Sequence, residues 1–322
     1  KINYIINFAS QSMVAESWDS PLDWYNTNVL GSINFVNNLS QLKNIKKYVH
    51  VSTPEVYGST KINLKENINY KPSTPYAISR ATCDMHLQSL YKNFKFPVIF
   101  TRAANVYGPG QQLYRIVPKC IITPRVDSKL TLHGGGISKR SFIYITDVVE
   151  ATYKLCFKSK NGQVYHISGN KLISIKNLVL SIFKLQNIPI NKYVKISKER
   201  KGKDKIYSLN SDKIKNLLNW KPKVDLKEGL KKTIFWMPLN LKILSKIVIF
   251  DLQKSKFLLA CGRVRTEDGA RPPLSPAPPL GQVEEELARG WSVELRAVQV
   301  TVELQALLEK GGPWAHLWER RW

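Results

Sequence analysis

An α/β fold, with a parallel sheet covered by helices on both faces, is predicted by three features of the 322-residue sequence. Several short apolar runs are continuous rather than alternating, which is typical of strands buried on both faces. Segments with the 3.6-residue apolar spacing of helices separate these runs, and such alternation favours parallel strands joined by helical crossovers. The content of 43% hydrophobic and 23% charged residues is ordinary for a globular protein and excludes collagen-like and globally disordered classes.

Five apolar runs are predicted as strands, in the order 2–8, 48–52, 97–101, 141–145 and 164–167. Five segments with helical spacing are predicted as helices, namely 22–42, 77–91, 147–157, 174–185 and 226–236. Thr74 and Pro75 predict the N-cap and the first turn of the second of these helices. Because ligands of such sheets bind beyond the carboxyl ends of the strands, the site is expected just after Phe8, Ser52 and Thr101.

The formal net charge of +25 is distributed unevenly along the chain. Residues 1–257 contain 35 Lys, 6 Arg and 15 acidic residues, a net charge of +26, whereas residues 258–322 carry −1. The lysines are spread among Asn and Ile and form no basic helix, so biased base composition explains them better than a nucleic-acid footprint does. Nucleic-acid binding stays open as an alternative, and the positive field favours an anionic small substrate.

The composition changes abruptly near Phe257. Residues 258–322 contain no Asn, Ile, Tyr or Phe and are rich in Ala, Arg, Glu, Gly and Pro. We therefore expect residues 237–257 to be a linker or amphipathic segment and residues 258–322 to be an unrelated tail, in which the Pro-rich stretch 271–279 is extended. We interpret the junction as the meeting of two coding contexts. No run of about 18 uncharged apolar residues occurs, so no membrane-spanning helix is predicted.

The cysteines and histidines indicate neither disulfides nor a metal site. Cys83, Cys120, Cys156 and Cys261 are far apart in sequence, and none belongs to a CxxC pair. The five His are scattered, without the spacing of metal ligands. This pattern predicts a reduced, cytoplasmic protein whose thiols are buried and which binds no metal.

Three residues near the end of the second predicted strand could move a proton. Tyr76 and Arg80 are four apart and would share one face of a helix. A fixed cation stabilises a phenolate, so we expect the pKa of Tyr76 to fall from about 10 toward neutral pH. Thr53 could share its proton, which predicts a site that moves a proton to and from a sugar or alcohol hydroxyl. A surface contact between Tyr76 and Arg80 without function is the alternative.

Six motifs in order along residues 2–236 carry a resemblance to a known family. They are I-N-F-A-S at 6–10, T-N-V-L-G at 27–31, S-T-P-E-V-Y-G at 52–58, T-R-A-A-N-V-Y-G-P-G-Q at 101–111, H-G-G-G…R…D at 133–147 and N-W-K-P…E-G-L…W at 219–236. Together they resemble the extended short-chain dehydrogenases/reductases, in particular the NAD-dependent nucleotide-sugar epimerases and dehydratases. The stretches 96–102, 140–151 and 221–224 look most similar to the dTDP-glucose 4,6-dehydratase branch.

The resemblance implies a Rossmann-type parallel sheet with a smaller α/β substrate-binding part, and NAD as the cofactor. It implies that residues 1–110 form part of the NAD-binding domain and residues 111–236 the substrate-binding part, with Rossmann elements returning near 141–170. The family's glycine-rich loop precedes the matched motifs, so we expect the chain to begin near the family's fourth strand and to lack the first strands of the sheet. We therefore expect weak NAD binding and an exposed apolar sheet edge.

The resemblance also implies catalytic roles for individual residues. Tyr76 would be the base that oxidises the sugar 4-hydroxyl, with Thr53 hydrogen-bonded to the same oxygen. Arg80 stands where the family has Lys, and this substitution keeps the charge but changes the size and geometry of the group. Glu55 would act on the ketone intermediate, whereas Pro54 replaces the acidic residue of dTDP-glucose 4,6-dehydratases and cannot donate a proton.

The binding residues implied by the resemblance fall into two sets. The cofactor set is Phe8, Ala9, Ser10, Asn28, Ser52, Tyr76 and Arg80. The substrate set is Asn105, Arg140, Arg200 and Tyr207, and the substrate would be a nucleotide-diphosphate sugar bound by a homodimer. The predicted function is that of a nucleotide-sugar dehydratase that oxidises sugar C4 transiently before elimination. A 4-epimerase, a decarboxylase and a truncated non-catalytic relative stay open as alternatives.

Overall fold

The computed structural model describes residues 2–42, 44–60, 63–169, 171–199 and 206–239. Arg200, Cys261, the predicted linker beyond residue 239 and the predicted tail 258–322 lie outside these residues. Within the described residues, the helices are all too short or too polar to cross a membrane.

The strands of the described residues are short, and most of them pair in parallel. In chain order they are β1 (Tyr4–Asn7), β2 (Lys47–Val51), β3 (Val98–Ala103), β4 (Asn105–Tyr107), β5 (Leu130–His133), β6 (Lys139–Tyr144), β7 (Val164–Ile167), β8 (Leu172–Ser174), β9 (Val194–Ser197) and β10 (Ile206–Tyr207). One sheet has the order β1-β2-β3-β7, and all of its pairs are parallel. This sheet contains the runs predicted at 2–8, 48–52, 97–101 and 164–167, so the predicted parallel sheet is confirmed.

The strand predicted at 141–145 belongs to a different sheet. β6 pairs in parallel with β4 and β10 and antiparallel with β8, while β5 and β9 form a separate pair. Ala104 alone separates β3 from β4, so the chain passes from the first sheet into the second at that residue. The residues after β3 therefore connect the sheet that contains β2 with the sheet that carries Arg140. Apolar periodicity does not reveal which strands share a sheet.

The five predicted helical segments are helices with shifted ends. In chain order the helices of the described residues are α1 (Pro21–Trp24), α2 (Ser32–Ser40), α3 (Pro75–Phe94), α4 (Ile116–Ile122), α5 (Ile145–Lys158), α6 (Ile175–Leu185), α7 (Ile190–Tyr193), α8 (Asp212–Leu218) and α9 (Leu226–Leu239). The short helices α4, α7 and α8 were not predicted. The helix predicted over 22–42 is α1 and α2 joined by the π-helical segment Tyr25–Gly31. α9 continues to Leu239, so the first three residues of the segment 237–257, predicted as a linker or amphipathic segment, are helical.

The position of α3 follows from its cap and from one buried apolar face. Thr74 Oγ1 accepts a hydrogen bond from Ala77 N over 3.2 Å, and Pro75 lies in the first turn, as the sequence predicts. Leu87 belongs to a buried cluster with apolar side chains of β2 and β3. This packing holds the helix that carries Tyr76 and Arg80 beside the sheet.

The thiols and the outer strand of the first sheet differ in exposure. Cys83, Cys120 and Cys156 are buried, as predicted, and their thiols are free.

β1 is the outer strand of its sheet on one side, and Tyr4 in this strand is 42% exposed. The carboxyl end of β1 continues into Phe8, which is 44% exposed, so the region after this strand is open to solvent.

Candidate active site

The turn after β2 positions the first candidate residues. Ser52 N donates to Thr101 O over 2.8 Å, which aligns the carboxyl ends of β2 and β3. Thr53 caps the 3-10 helix Pro54–Tyr57, because its Oγ1 accepts a hydrogen bond from Glu55 N over 3.3 Å. The same turn therefore presents the Thr53 hydroxyl and the half-buried Glu55 carboxylate at the end of the strand.

Tyr76 lies in the first turn of α3, next to the turn after β2. Its backbone N donates to Ser17 Oγ over 3.1 Å, and the Thr53 side chain lies close enough to the phenol to lower its pKa as a hydrogen-bonding group. The Glu55 carboxylate and the Arg80 guanidinium both lie close enough to change its pKa electrostatically. The structure therefore brings the four predicted catalytic residues into one cluster.

The pKa of Tyr76 is raised above the ordinary phenol value of 10.0, so the expected lowering is wrong. Burial is the largest cause and the Glu55 carboxylate adds to it, because both disfavour the charged phenolate. The Arg80 guanidinium, the Thr53 hydrogen bond and Arg115 act in the opposite direction and are outweighed. The sequence argument counted the cation and omitted burial, and Tyr76 carries its proton at neutral pH.

Arg80 is 1% exposed, and its guanidinium is held against β2. Its Nη2 donates to Val51 O over 2.5 Å and lies 3.1 Å from His50 Nε2. Its Nη1 is buried and has no hydrogen-bond partner among the described residues. One nitrogen of the guanidinium is therefore fixed by the strand, while the other is a donor that the described protein groups do not use.

A buried ionic cluster beneath the site was not predicted from the sequence. Asp84 Oδ2 accepts hydrogen bonds from Ser52 Oγ over 2.8 Å and from Arg102 Nη2 over 2.7 Å, and Asp84 Oδ1 lies 3.4 Å from His50 Nε2. The Ser52 hydroxyl, predicted to contact the cofactor, is thus used to anchor α3 to the end of β2. The available sequence signal was spacing, because Asp84 follows Arg80 by four residues and shares its helix face.

The predicted cofactor residues after β1 form an exposed segment. Phe8, Ala9 and Ser10 are all exposed, and Ala9 N donates to Asn7 Oδ1 over 2.9 Å, which turns the chain. The strand register pairs Asn7 with His50, so this segment begins beside the carboxyl end of β2. These three residues are therefore placed where a ligand of the sheet would pass.

Asn28, in contrast, is fully buried and uses its polar atoms within the protein. Its Oδ1 accepts from Gln11 N over 2.7 Å, and its Nδ2 donates to Gln11 O over 3.0 Å and to Ser79 Oγ over 2.9 Å. Asn28 therefore ties the loop after β1 to α3. A contribution of Asn28 to cofactor binding would be indirect, through the shape of this loop.

The predicted substrate residues lie on the second sheet. Asn105 begins β4, which pairs with β6, and it is half-buried. Arg140 on β6 is 7% exposed, and the register of β10 and β6 makes Tyr207 its backbone neighbour. The structure thus brings Arg140 and Tyr207 together, whereas Arg200 lies outside the described residues.

Residues of the loop after β4 also face the site, and no motif marked them. Arg115 is one of the cations that lower the pKa of Tyr76, and its guanidinium carbon lies 5.1 Å from the ring centre of Tyr114. Tyr114 Oη and Ser12 Oγ are 2.8 Å apart. This contact joins the loop after β4 to the loop after β1 across the carboxyl edge of the first sheet.

A comparison with known protein families finds a match over most of the chain. The model of the GDP-mannose 4,6 dehydratase family matches residues 1–233. The chain belongs to this family. Its nucleotide-sugar dehydratases and epimerases are NAD-dependent enzymes, so the predicted family, enzyme class and cofactor are confirmed.

Relatives and solved structures of this family resemble the chain over most of its described part. The dTDP-D-glucose 4,6-dehydratase of Homo sapiens is 36% identical over 242 residues, which is 73% of this chain and 69% of the relative. A dTDP-glucose 4,6-dehydratase from Streptomyces venezuelae, solved with NAD and TYD bound, has a TM-score of 0.71 and 28% identity, covering 74% of each chain. The UDP-glucuronic acid 4-epimerase from Bacillus cereus, in complex with UDP-glucuronic acid and NAD, has a TM-score of 0.69 and 25% identity, covering 73% of this chain and 75% of that one.

For a member of the dehydratase family, the described residues fit the nicotinamide end of NAD. The buried, unpartnered Nη1 of Arg80 is a charged donor that a ribose hydroxyl would satisfy. The exposed segment Phe8–Ser10 lies at the same edge of the sheet. These two groups, with Tyr76 and Thr53 next to them, are the part of the described protein that would contact the cofactor.

Proposed function

We propose that this chain catalyses the 4,6-dehydration of a nucleotide-diphosphate hexose through the cluster of Tyr76, Thr53 and Glu55. The observation that carries the proposal is that the Thr53 side chain and the Glu55 carboxylate both lie close enough to the Tyr76 phenol to change its pKa, Thr53 as a hydrogen-bonding group and Glu55 as a charge. A proton-transfer pair and a second base within one small volume can serve two successive steps on neighbouring sugar carbons.

The first step uses the phenol and the hydroxyl. NAD, when bound, takes a hydride from the sugar carbon and later returns it. Tyr76 and Thr53 bind the 4-hydroxyl, and the proton of this hydroxyl passes to the Tyr76 oxygen. Tyr76 must first lose its own proton, because burial and Glu55 keep its pKa above the ordinary phenol value, and the Arg80 and Arg115 guanidinium groups reduce the cost of that loss.

The second step uses the carboxylate. The hydrogen on sugar C5 becomes acidic once C4 is a ketone, and Glu55 would remove it as the hydroxyl leaves C6. Pro54 precedes Glu55 and has no proton to give, so the proton that Glu55 takes from C5 is the one available to the departing hydroxyl. Water leaves, the hydride returns to C6 and C5 takes up a proton, which completes the 4-keto-6-deoxy sugar. The proton that Tyr76 took from the 4-hydroxyl balances the one that C5 regains.

Two parts of the chain would bind the two ligands, NAD and the nucleotide sugar. We propose that residues 1–110, with the returning strand β7, hold the cofactor and that residues 111–236 hold the nucleotide. Asn105 and Arg140 on the second sheet, with Tyr207 and Arg200, would bind the substrate diphosphate by charge-assisted hydrogen bonds. The homodimer and the cytoplasmic location stay predictions.

The test is product analysis with the full chain, added NAD and either dTDP-glucose or UDP-glucose. We expect a 4-keto-6-deoxy sugar, and we expect Glu55→Gln to reduce its formation at least about 100-fold. Transient NADH absorbance should persist in this variant, because the first step does not need the carboxylate. Glu228→Gln is the matched control, since Glu228 is an exposed residue that pairs with Lys232 at 2.7 Å.

A 4-epimerase is the second candidate, and the absent acid at Pro54 favours it. An epimerase needs Tyr76 and Thr53 but has no use for a base at C5. Formation of the 4-epimer without loss of water, at a rate that Glu55→Gln leaves unchanged, would establish this candidate and refute dehydration. Binding of NADH without turnover of either sugar would instead identify a non-catalytic relative.

A further inference from the structure

His50 is a fully buried histidine on β2 that the proposed reaction does not use. Its Nε2 lies 3.1 Å from Arg80 Nη2, and the neighbouring Val51 O accepts from the same Nη2 over 2.5 Å. Its Nδ1 has no hydrogen-bond partner among the described residues. The strand thus offers two acceptors in succession to one nitrogen of the guanidinium.

The chemistry of the two side chains decides which nitrogen of His50 carries the proton in this contact. A guanidinium has donors only, so His50 Nε2 must supply a lone pair when it bonds to Arg80 Nη2. In this contact the imidazole is neutral and carries its proton on Nδ1. The same Nε2 lies 3.4 Å from Asp84 Oδ1, which would accept a hydrogen bond from it in the Nε2–H state. Protonation at Nε2 would place two positive groups 3.1 Å apart and would break the contact.

The surroundings of His50 allow its charge to change. Cys83 and Asp84 on α3 face it and raise its pKa above 6.5 against the effect of burial, whereas Arg80 on the same helix opposes them. The rings of Tyr48 and Phe100 lie 6.3 Å and 6.0 Å from the imidazole and keep water away. Acidification therefore shifts His50 from its contact with Arg80 toward the acidic groups.

We propose that neutral His50 is a positioning residue for Arg80, holding Nη2 on the strand so that Nη1 is left as the donor for the cofactor ribose. The proposal rests on the proposed function for the role of Arg80. This role of His50 depends on the arginine at position 80, because a guanidinium is planar and forked and is oriented by acceptors in its plane. A lysine at this position would offer a single rotating ammonium and would not depend on His50.

A cofactor-free measurement tests the contact itself. In the full chain with 15N-labelled histidine, we expect His50 to show the neutral Nδ1–H tautomer at alkaline pH, with the signal assigned by its loss in His50→Gln. Arg80→Met should abolish this tautomer preference, while His86→Gln, a change on α3 outside the contact, should leave it intact. A predominant Nε2–H tautomer at alkaline pH would overturn the proposal whatever the chain catalyses.

NADH binding tests the consequence for the cofactor. We expect His50→Leu to weaken NADH binding, measured by fluorescence at pH 8.5, by about tenfold, as expected for a lost contact to a charged group. His50→Gln should retain most of the affinity, because its amide oxygen can accept from Nη2. In the Arg80→Lys background His50→Leu should change the affinity less than twofold.

The pH profile separates positioning from general stability. Wild-type NADH affinity should fall as the pH decreases through the raised pKa of His50, whereas His50→Gln should lack this dependence. Equal losses from His50→Leu in the wild-type and Arg80→Lys backgrounds, at matched melting temperatures, would contradict the positioning role. If the variants show these differences in NADH binding but neither they nor the wild type turns over a sugar, the proposed function is contradicted and the positioning role of His50 is not.

Discussion

Asp84 and Arg102 form an ion pair whose side chains are both fully buried, with Arg102 Nη2 donating to Asp84 Oδ2 over 2.7 Å. The same Nη2 donates to Tyr70 Oη over 2.9 Å, and the guanidinium carbon lies 4.5 Å from the ring centre of Tyr57. The ion pair joins α3 to β3, and the hydrogen bond from Ser52 Oγ to Asp84 also joins the end of β2 to α3. It therefore fixes the strand ends and the helix between which the proposed catalytic cluster lies.

Replacing one partner of this pair should destabilise the protein strongly. Asp84→Asn leaves Arg102 buried without its counter-charge, so we expect the free energy of unfolding to fall by about 3–5 kcal/mol in urea denaturation. Asp212→Asn is the control, because Asp212 pairs with Lys215 at 3.2 Å on the exposed surface and should cost less than about 1 kcal/mol. Equal effects of the two changes would refute this account.

The same carboxyl group predicts a loss of stability in acid. Arg102, His50 and Arg80 lower the pKa of Asp84 from 3.8 to about 2 in the folded protein, against the effect of burial. A lowered pKa in the folded state gives stability that is complete above 3.8 and is lost as the pH falls toward about 2. Unfolding measured between pH 5 and pH 2 should show this loss in the wild type, and Asp84→Asn should show a shallower dependence.

Removing the Tyr76 hydroxyl should abolish turnover while leaving cofactor binding. Tyr76→Phe keeps the ring but removes the proton carrier, so we expect kcat to fall by about 100-fold to 10,000-fold. Tyr153→Phe, a change at a 39% exposed residue on α5, should leave kcat unchanged. Steady-state kinetics and NADH fluorescence provide the measurements, and near-normal kcat in Tyr76→Phe would exclude this phenol as the proton carrier.

Gly58 ends the turn that carries Thr53 and Glu55, and only glycine fits there. Its φ is +65°, and a Cβ atom would lie 2.2 Å from the backbone oxygen of Lys71. We expect Gly58→Ala to lower the free energy of unfolding by more than about 2 kcal/mol, because the left-handed conformation and the clash both oppose the new methyl group. Gly110→Ala is the control, with a φ of +74° and no atom within 4 Å of the added Cβ, so its cost should be about 1 kcal/mol.

Asp147 holds the segment before α9 against α5. Its Oδ1 and Oδ2 accept from Lys223 N over 3.0 Å and from Val224 N over 3.1 Å. Asn would keep one acceptor and set an amide NH₂ against the other N–H, so Asp147→Asn should cost about 1–3 kcal/mol in thermal or urea unfolding. Glu150→Gln on the same helix removes partly exposed pairs with Lys154 and Lys223 and should cost less than about 1 kcal/mol. A cost for Asp147→Asn no greater than that of Glu150→Gln would contradict this assignment.

The sequence determined the first sheet, the long helices and the candidate cluster. The runs that became β2, β3 and β7 are continuous and apolar because both faces of these strands are buried, whereas β1, the outer strand, is only partly covered. The helix α3 carries its own cap at Thr74. The motifs around Thr53 and Tyr76 predicted that these residues meet, since Thr53 follows β2 and Tyr76 lies in the first turn of α3. Short strands such as β8 and β10 were missed because two or three residues show no periodicity.

Only the tertiary structure decided the charge state of the site and the use of its polar groups. The pKa of Tyr76 depends on how much water reaches the phenol, and burial is a property of the packed molecule that no spacing reveals. Arg80 turns to Val51 O and His50 because these acceptors end a strand remote in sequence. The sequence by itself therefore determined that Thr53, Glu55, Tyr76 and Arg80 belong to one site. The folded environment decided their further partners and which protons they hold, because desolvation and long-range hydrogen bonds exist only after packing.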